Sequence, residues 1–440
     1  MHINTLQLQN FRGIENLNIS LDPHLTLFVG TNGTGKSSVL EAINILLSWI
    51  LARIRNEKGS GQAIREIDIH NTANFALLKI ESDEIAHWQL VKAKQGRAKP
   101  TQNSELQQVS QYAKNIQQLI VNNEGLPLFV CYPTNRAVLD IPLRIRRKHE
   151  FSQLEAYEDA LITGVNFRHF FEWFRNREDL ENETLLEQER QKLRQHNQGF
   201  FPYLAESEEM FDSVPHQYPD PQLQAVRDAL SKLLPELSEF RVRRSPLRLC
   251  ATKYGREIRI DQLSDGEKCL IALIGDLARR LAIANPQLEK PLEGSGIVLI
   301  DEVDLHLHPA WQRLVIRQLP KVFPNCQFIL STHSPQILGE VEGKCIRLLK
   351  QDARTGYIGC YTPKQALGLD STAILQELMG TEERDTATKQ QLDNISQLID
   401  EEKFEQARTA IRNLKNRLNG SIPEIVGAET LIEMLEDDLE

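Results

Sequence analysis

The segment Leu25 to Ile54, "LTLFVGTNGTGKSSVLEAINILLSWILARI", constrains the fold more than any other part of the chain. An apolar strand runs directly into a glycine-rich turn, and apolar residues then recur at helical spacing from Val39 to Ile54. Within it "GTNGTGKS", Gly30 to Ser37, fits the spacing G-x-x-x-x-G-K-[ST]. The glycines let backbone N–H groups turn inward around a polyphosphate, and the following helix presents its positive end to it. Lys36 is then placed to reach β- and γ-phosphates, and Ser37 to ligate Mg²⁺. Asn32, Gly33, Thr34, Gly35 and Ser38 complete the candidate cradle for ATP. The strand before and the helix after are the context this P-loop requires.

Three further segments follow in order. "GIVLIDEVDLHLHP" is an apolar strand ending in two carboxylates. Asp301 at its tip suits a Mg²⁺ role, direct or through water, and Glu302 is placed to polarise an attacking water. "LSDGEK", Leu263 to Lys268, puts Ser264, Gly266 and Glu267 at the start of a helix, where a hydroxyl and free N–H groups can meet an anion. "CQFILSTHSP" is a strand with His333 at its end, which would hydrogen-bond the γ-phosphate or the water from the side opposite Lys36.

These four motifs in this order resemble the ABC-type ATPase head of the SMC, Rad50 and RecF group, over roughly residues 1–95 and 240–350. The resemblance implies an α/β fold: a two-lobed P-loop NTPase head with a mixed sheet, here with a helical insertion and a helical C-terminal tail. It also implies that the signature helix of one copy closes over the ATP held by another. Lys36 and Ser37 then correspond to Walker A ligands, Asp301 and Glu302 to Walker B, Ser264 and Gly266 to the signature, and His333 to the switch histidine. "NFRG" near the start matches the group too, making Arg12 a phosphate candidate. The chain departs from the transporter pattern at His308, where transporters place an Asp. It also lacks a clear Q-loop glutamine: Gln62 and Gln89 are candidates, with Asn135 or Arg136 as possible substitutes at the lobe junction. His306, His308 and His333 raise the thought of a separate metal site, but Mg²⁺-dependent phosphoryl chemistry accounts for them better.

The organisation expected is residues 1–139 as the first part of the head, 140–239 as a helical insertion, 240–370 as the second part of the head, and 371–440 as a helical tail. A net charge of −10, from 51 Lys and Arg against 61 Asp and Glu, argues against a uniformly basic nucleic-acid coat and leaves room for a local basic groove. The best local candidates for a phosphate backbone are "RVRRSPLR", Arg241 to Arg248, and "LRIRRKHE", Leu143 to Glu150. The six scattered cysteines read as reduced core residues. The N-terminus lacks a signal-peptide layout and no apolar run reaches membrane-span length, so a cytoplasmic protein with no membrane partner is expected.

The insertion holds no long heptad run, unlike the Rad50 branch. The helical stretch after Lys350 carries no E…DxD pattern, unlike the overcoming-lysogenization-defect nucleases. The remaining resemblance is to compact defence ATPases. "ALGLDSTAILQELMG" and "LIDEEKFEQARTAIRNLKNRLNG" resemble the tail of the PtuA ATPases of Septu anti-phage systems, including their retron-associated versions. That resemblance implies an HNH nuclease partner of the PtuB type and, in retrons, a reverse transcriptase and its RNA–DNA product (msDNA). It also implies a homodimer bridged by ATP, with larger homo-oligomers built from it. The tail face formed by Leu392, Ile395, Leu398 and Ile399 either docks such a partner or covers the ATPase core. The competing reading is a RecF-like repair ATPase that acts on DNA without a toxin partner.

Overall fold

The computed structural model of the chain describes residues 1–97, 100–134, 152–162, 167–196, 219–380 and 385–437. The residues divide into two units, Met1–Leu369 and Asp370–Glu440.

The first unit is built on a change of sheet at Asp22-Pro23. β1 (Ile3–Phe11) and β2 (Ile14–Ser20) alternate buried and exposed residues and pair antiparallel. The Asp22 carboxylate then accepts the N–H groups of His24 at 2.9 Å and Leu25 at 3.1 Å, an Asx turn that re-aims the backbone. β3 (Leu25–Val29) follows and is buried throughout, so it belongs to a second, fully covered sheet. The helix α1 (Lys36–Arg55) leaves from the glycine loop after it. By length and composition α1 could cross a membrane, but 67% of its most apolar window is buried inside the protein.

β4 (Phe75–Ser82) and β5 (His87–Ala93) complete the antiparallel sheet, in the order β2-β1-β4-β5. α2 (Gln107–Val121) lies against α1. The central sheet has the order β13-β12-β3-β11-β10-β6, from β6 (Leu128–Tyr132), β10 (Gly296–Ile300), β11 (Cys326–Thr332), β12 (Ile346–Gln351) and β13 (Ile358–Tyr361). All neighbours in it are parallel except β12 and β13. The fold class read from the sequence, α/β with a mixed sheet, is the one observed. The short antiparallel β13 was not among the strands expected: four residues with a central Gly359 carry too little pattern to read.

Between the halves of this sheet lie α3 (Phe167–His196) and α4 (Pro221–Leu233), then a three-stranded antiparallel sheet of β7 (Leu237–Arg244), β8 (Leu247–Lys253) and β9 (Arg256–Arg259). Phe170, Phe171, Trp173 and Phe174 on α3 are fully buried, which gives the aromatic cluster of this stretch its purpose as a core. α5 (Asp265–Ala284) is buried along almost its whole length. α6 (Pro309–Val322) and the single turn α7 (Pro335–Leu338) follow the second pair of motif strands.

In the second unit, the short α8 (Ser371–Ala373) precedes α9 (Thr386–Asp400), α10 (Phe404–Leu418) and α11 (Pro423–Asp437). Ile395 and Ile399 of α9 pack with Ala407, Ile411, Leu414, Ile425 and Ile432, and Leu392 and Leu398 lie against that cluster. The apolar face of the tail therefore closes on the tail's own neighbouring helices. Neither occupant expected for it, a partner or the ATPase core, is needed to account for its burial.

Candidate nucleotide-binding and hydrolysis site

Parallel strands place their C-terminal ends on one side of a sheet, and loops leaving those ends form a common rim. Here β11 lies between β3 and β10, with Thr332 opposite Val29 and Leu330 opposite Ile300. That order brings three motifs distant in sequence to one edge: Gly30 to Ser37 after β3, His333 after β11, and Asp301 and Glu302 after β10.

The loop itself is shaped by its glycines. Gly33 and Gly35 have φ of 86° and 92°, the left-handed region that a side chain disfavours. At Gly30 a Cβ would come within 2.4 Å of the Leu349 carbonyl of β12. The Lys36 ammonium is buried and donates to the carbonyls of Gly30 (2.8 Å) and Thr31 (3.1 Å), so the loop curls around its own lysine. Burial pulls the Lys36 pKa below its ordinary value, and the carboxylates of Asp301, Glu302 and Asp304 offset part of that effect. These acids are thus near enough for their charge to act on the P-loop lysine. Asn32, Gly33 and Ser37 are exposed, Thr34 is buried and Ser38 half-buried; Thr34 donates its hydroxyl to the Thr31 carbonyl at 2.8 Å.

Past β10 the chain turns sharply at Glu302, whose φ is 48°. A non-glycine residue holds that conformation only where its surroundings enforce it. Ser331 does so: its hydroxyl accepts the Glu302 N–H at 2.8 Å and donates to the Asp301 carboxylate, and its carbonyl accepts the Val303 N–H at 2.9 Å. One carboxylate oxygen of Asp304 accepts the Thr332 hydroxyl at 2.5 Å and the His333 N–H at 3.4 Å, fixing the backbone that carries His333. Gln312 of α6 extends the lacing, donating to the Leu307 carbonyl at 2.8 Å and accepting from the Ser334 hydroxyl at 2.6 Å. Ser331, Asp304 and Gln312 were not singled out in the sequence. Ser331 and Asp304 stand two positions from His333 and Glu302, and Gln312 four from His308, a spacing that carries no pattern of its own.

Ser264 is the N-cap of α5. Its hydroxyl and backbone N–H both donate to the Glu267 carboxylate, at 2.7 and 2.9 Å, which closes a capping box. Burial opposes ionisation of Glu267, but Lys253 at 2.5 Å and Ser264 more than compensate and hold its pKa below the usual range. Glu267 therefore builds the signature turn. A Cβ at Gly266 would meet the His306 carbonyl at 2.4 Å, so the signature turn rests on the loop that follows Glu302 in the same copy.

Arg12 lies in the β1–β2 turn, where its Nε donates to the Asp68 carboxylate at 3.0 Å; Asp68 also holds Arg65. Arg12 is thus held beside the site, with its guanidinium engaged by Asp68. The turn is close to the P-loop, since a Cβ at Gly35 would touch the Ile14 side chain at 3.3 Å. Gln62 donates its side-chain amide to the Leu161 carbonyl, and Gln89 binds Asn103 and Glu105, so each is held by its own local partners. Asn135, Arg136 and the basic run Leu143 to Glu150 lie outside the described residues. Arg241 and Arg243 pair with Glu257, and Arg244 with Glu178 and Asp179, so those charges are largely neutralised locally. His308 caps α6, accepting the Ala310 N–H on Nδ1 at 3.3 Å. Among the described residues no cluster of three His, Cys, Asp or Glu side chains is arranged to hold a metal.

A glycine loop with its lysine facing strand-end acids, and a capped helix start beside them, define a P-loop ATPase of the SMC- and RecF-like ABC type. The chain belongs to the AAA ATPase domain family, which matches residues 1–338. It is 30% identical to the retron Ec83 probable ATPase of Escherichia coli, across 100% of this chain and 88% of that one. It is 31% identical to the retron Vc95 probable ATPase of Vibrio cholerae, across 80% of this chain and 74% of that one. The Septu protein PtuA of Bacillus thuringiensis matches at 23% identity, across 96% of this chain and 95% of that protein. Among solved structures, an SMC head domain with an extended coiled coil from Pyrococcus furiosus aligns with a TM-score of 0.46 at 17% identity, covering 82% of this chain and 96% of that chain.

Proposed function

We propose that the chain binds ATP with Mg²⁺ in the Gly30 to Ser38 loop and hydrolyses it between two copies of itself, as the ATPase subunit of an anti-phage defence complex. The observation that carries the reading is the strand order, which brings the Gly30 to Ser38 loop, Asp301, Glu302 and His333 to one edge of the central sheet. The residues fit the group they are to hold. The loop offers backbone N–H groups at left-handed glycines, and its lysine is already satisfied by carbonyls that a phosphate would replace. Ser37 and Asp301 are the groups that would hold Mg²⁺, which neutralises charge on the polyphosphate.

In this reading Lys36 binds the phosphates. Glu302, held in its strained turn by Ser331, orients the water, and His333 contacts the γ-phosphate side. Ser264 and Gly266 close over the nucleotide of the second copy, while Glu267 shapes the turn that presents them. Arg12, held through its Nε by Asp68, is the candidate to contact the phosphates from the β1–β2 turn.

The retron and Septu names of the relatives support a defence setting. There the nucleotide state controls an associated HNH nuclease of the PtuB type, accompanied in a retron by a reverse transcriptase and its msDNA. Phosphate release from ATP by the purified chain tests the enzyme: Lys36→Ala should abolish it, and release that survives this change would sink the site assignment. Co-purification with the protein encoded beside it tests the partner: recovery of an HNH nuclease supports the defence reading, and its absence counts against it.

A further inference from the structure

α5 carries at its start the residues read as serving the second copy's nucleotide, and its middle holds a charged group that this mechanism does not use. Asp276 is fully buried and ion-paired with Arg279 and Arg280, each at 2.7 Å. The Tyr132 hydroxyl donates to the same carboxylate at 3.0 Å. Tyr132 is the last residue of β6, and its backbone carbonyl accepts the N–H of Asp301 at 2.9 Å. Two hydrogen bonds and one residue therefore separate the middle of the signature helix from the Walker B aspartate.

Each group in this link is held firmly. Arg280 also donates to the carbonyls of Ala156 and Glu158, both at 2.8 Å. Gly275, next to Asp276, leaves room for the Phe170 ring, which a Cβ would meet at 2.7 Å, so α5 is wedged against α3 at this point. Burial opposes ionisation of Asp276, but Arg280 and Arg279 hold its pKa below the usual range, while burial keeps the Tyr132 hydroxyl protonated. The donor and acceptor of the bond are thereby fixed. Asp276 lies roughly 18 Å along α5 from Ser264, at 1.5 Å per residue.

We infer that Tyr132 and Asp276 are positioning residues that couple the two nucleotide sites of a dimer. A shift of α5, caused by Ser264 engaging ATP in the second copy, reaches Asp301 and Glu302 of its own copy through Tyr132. This inference rests on the two-copy reading above and adds the route by which one site senses the other. A coupling of this kind needs an element that both sites bias, and α5 with its Tyr132 anchor is that element.

Tyr132→Phe is the probe. It removes one hydroxyl and keeps the ring, the backbone carbonyl to Asp301 and the pairing of Asp276 with both arginines. Tyr157→Phe is the control: that side chain is also fully buried and lies between the Ala156 and Glu158 carbonyls that hold Arg280, but its hydroxyl donates to the Pro127 carbonyl at 2.6 Å and touches neither Asp276 nor Tyr132. Steady-state ATP hydrolysis is followed against ATP concentration, with binding of a fluorescent ATP analogue and melting temperature measured in parallel. The wild type should give a sigmoidal curve. Tyr132→Phe should bind the analogue as the wild type does, lose roughly ten-fold in kcat and give a Hill coefficient near 1. Tyr157→Phe should lose comparable melting temperature with kcat and Hill coefficient unchanged. If Tyr132→Phe keeps the wild-type kcat and Hill coefficient, or if both variants lose them alike, the inference is overturned. A wild type that binds no analogue would instead overturn the ATPase reading beneath it.

Discussion

The Ser331 hydroxyl stands between Asp301 and Glu302: it accepts the Glu302 N–H at 2.8 Å and donates to the Asp301 carboxylate. The same side chain thus fixes the left-handed turn of Glu302 and orients the neighbouring acid. Ser331→Ala should therefore leave ATP binding near the wild-type level and lower kcat by about 10- to 100-fold, the equivalent of losing hydrogen bonds to a charged group and at a strained turn. Steady-state kinetics check this, with kcat falling and KM holding.

Gly266→Ala tests the contact between the signature turn and the loop after Glu302. The added methyl would meet the His306 carbonyl at 2.4 Å, a backbone atom with little room to yield. The variant should lose about 1–3 kcal/mol of stability in chemical denaturation, and hydrolysis should fall with it. Wild-type stability in this variant would mean that the loop relaxes freely.

The capping box gives a pH dependence. Glu267 has a folded-state pKa below its unfolded value, so its contribution to stability is fully present above the ordinary carboxylate range and is lost as pH falls through the folded value. Glu267→Gln should cost about 0.5–2 kcal/mol at neutral pH. The gap between variant and wild type should narrow as the pH is lowered below 4.5, the ordinary value for this group. Urea denaturation at a series of pH values reads the difference directly.

The tail has a core of its own, and Ile411 is at its centre, 2% exposed. Ile411→Ala should destabilise the Asp370–Glu440 unit by about 2–5 kcal/mol. ATP binding by the first unit should persist. Hydrogen exchange resolved by segment shows whether the loss stays within α9 to α11.

The parts legible in the sequence are those written locally. The P-loop, the two acid-tipped or His-tipped strands and the capped helix each occupy a short run whose residue types follow from their own geometry. Strand order is not written that way. Ser331 and Asp304 matter because β11 lies between β3 and β10, and Tyr132 because the end of β6 lies beside β10. The periodicity of Leu392, Ile395, Leu398 and Ile399 announces a buried face, but the helices that cover it come from α10 and α11 further along. The charge run at Arg241 to Arg244 looks available in the sequence because its partners, Glu178, Asp179 and Glu257, lie elsewhere in the chain.

In the proposed function each nucleotide is completed by a second copy of the chain. Glu302→Gln keeps the shape of the site and removes the carboxylate proposed to orient water, so it should hold ATP without turning it over. Size exclusion with light scattering, run on this variant with and without ATP and Mg²⁺, measures the outcome. ATP should double the mass of the smallest species, and Ser264→Arg in the same background should prevent the doubling. A mass unchanged by ATP in Glu302→Gln, with bound nucleotide confirmed, would contradict the two-copy reading.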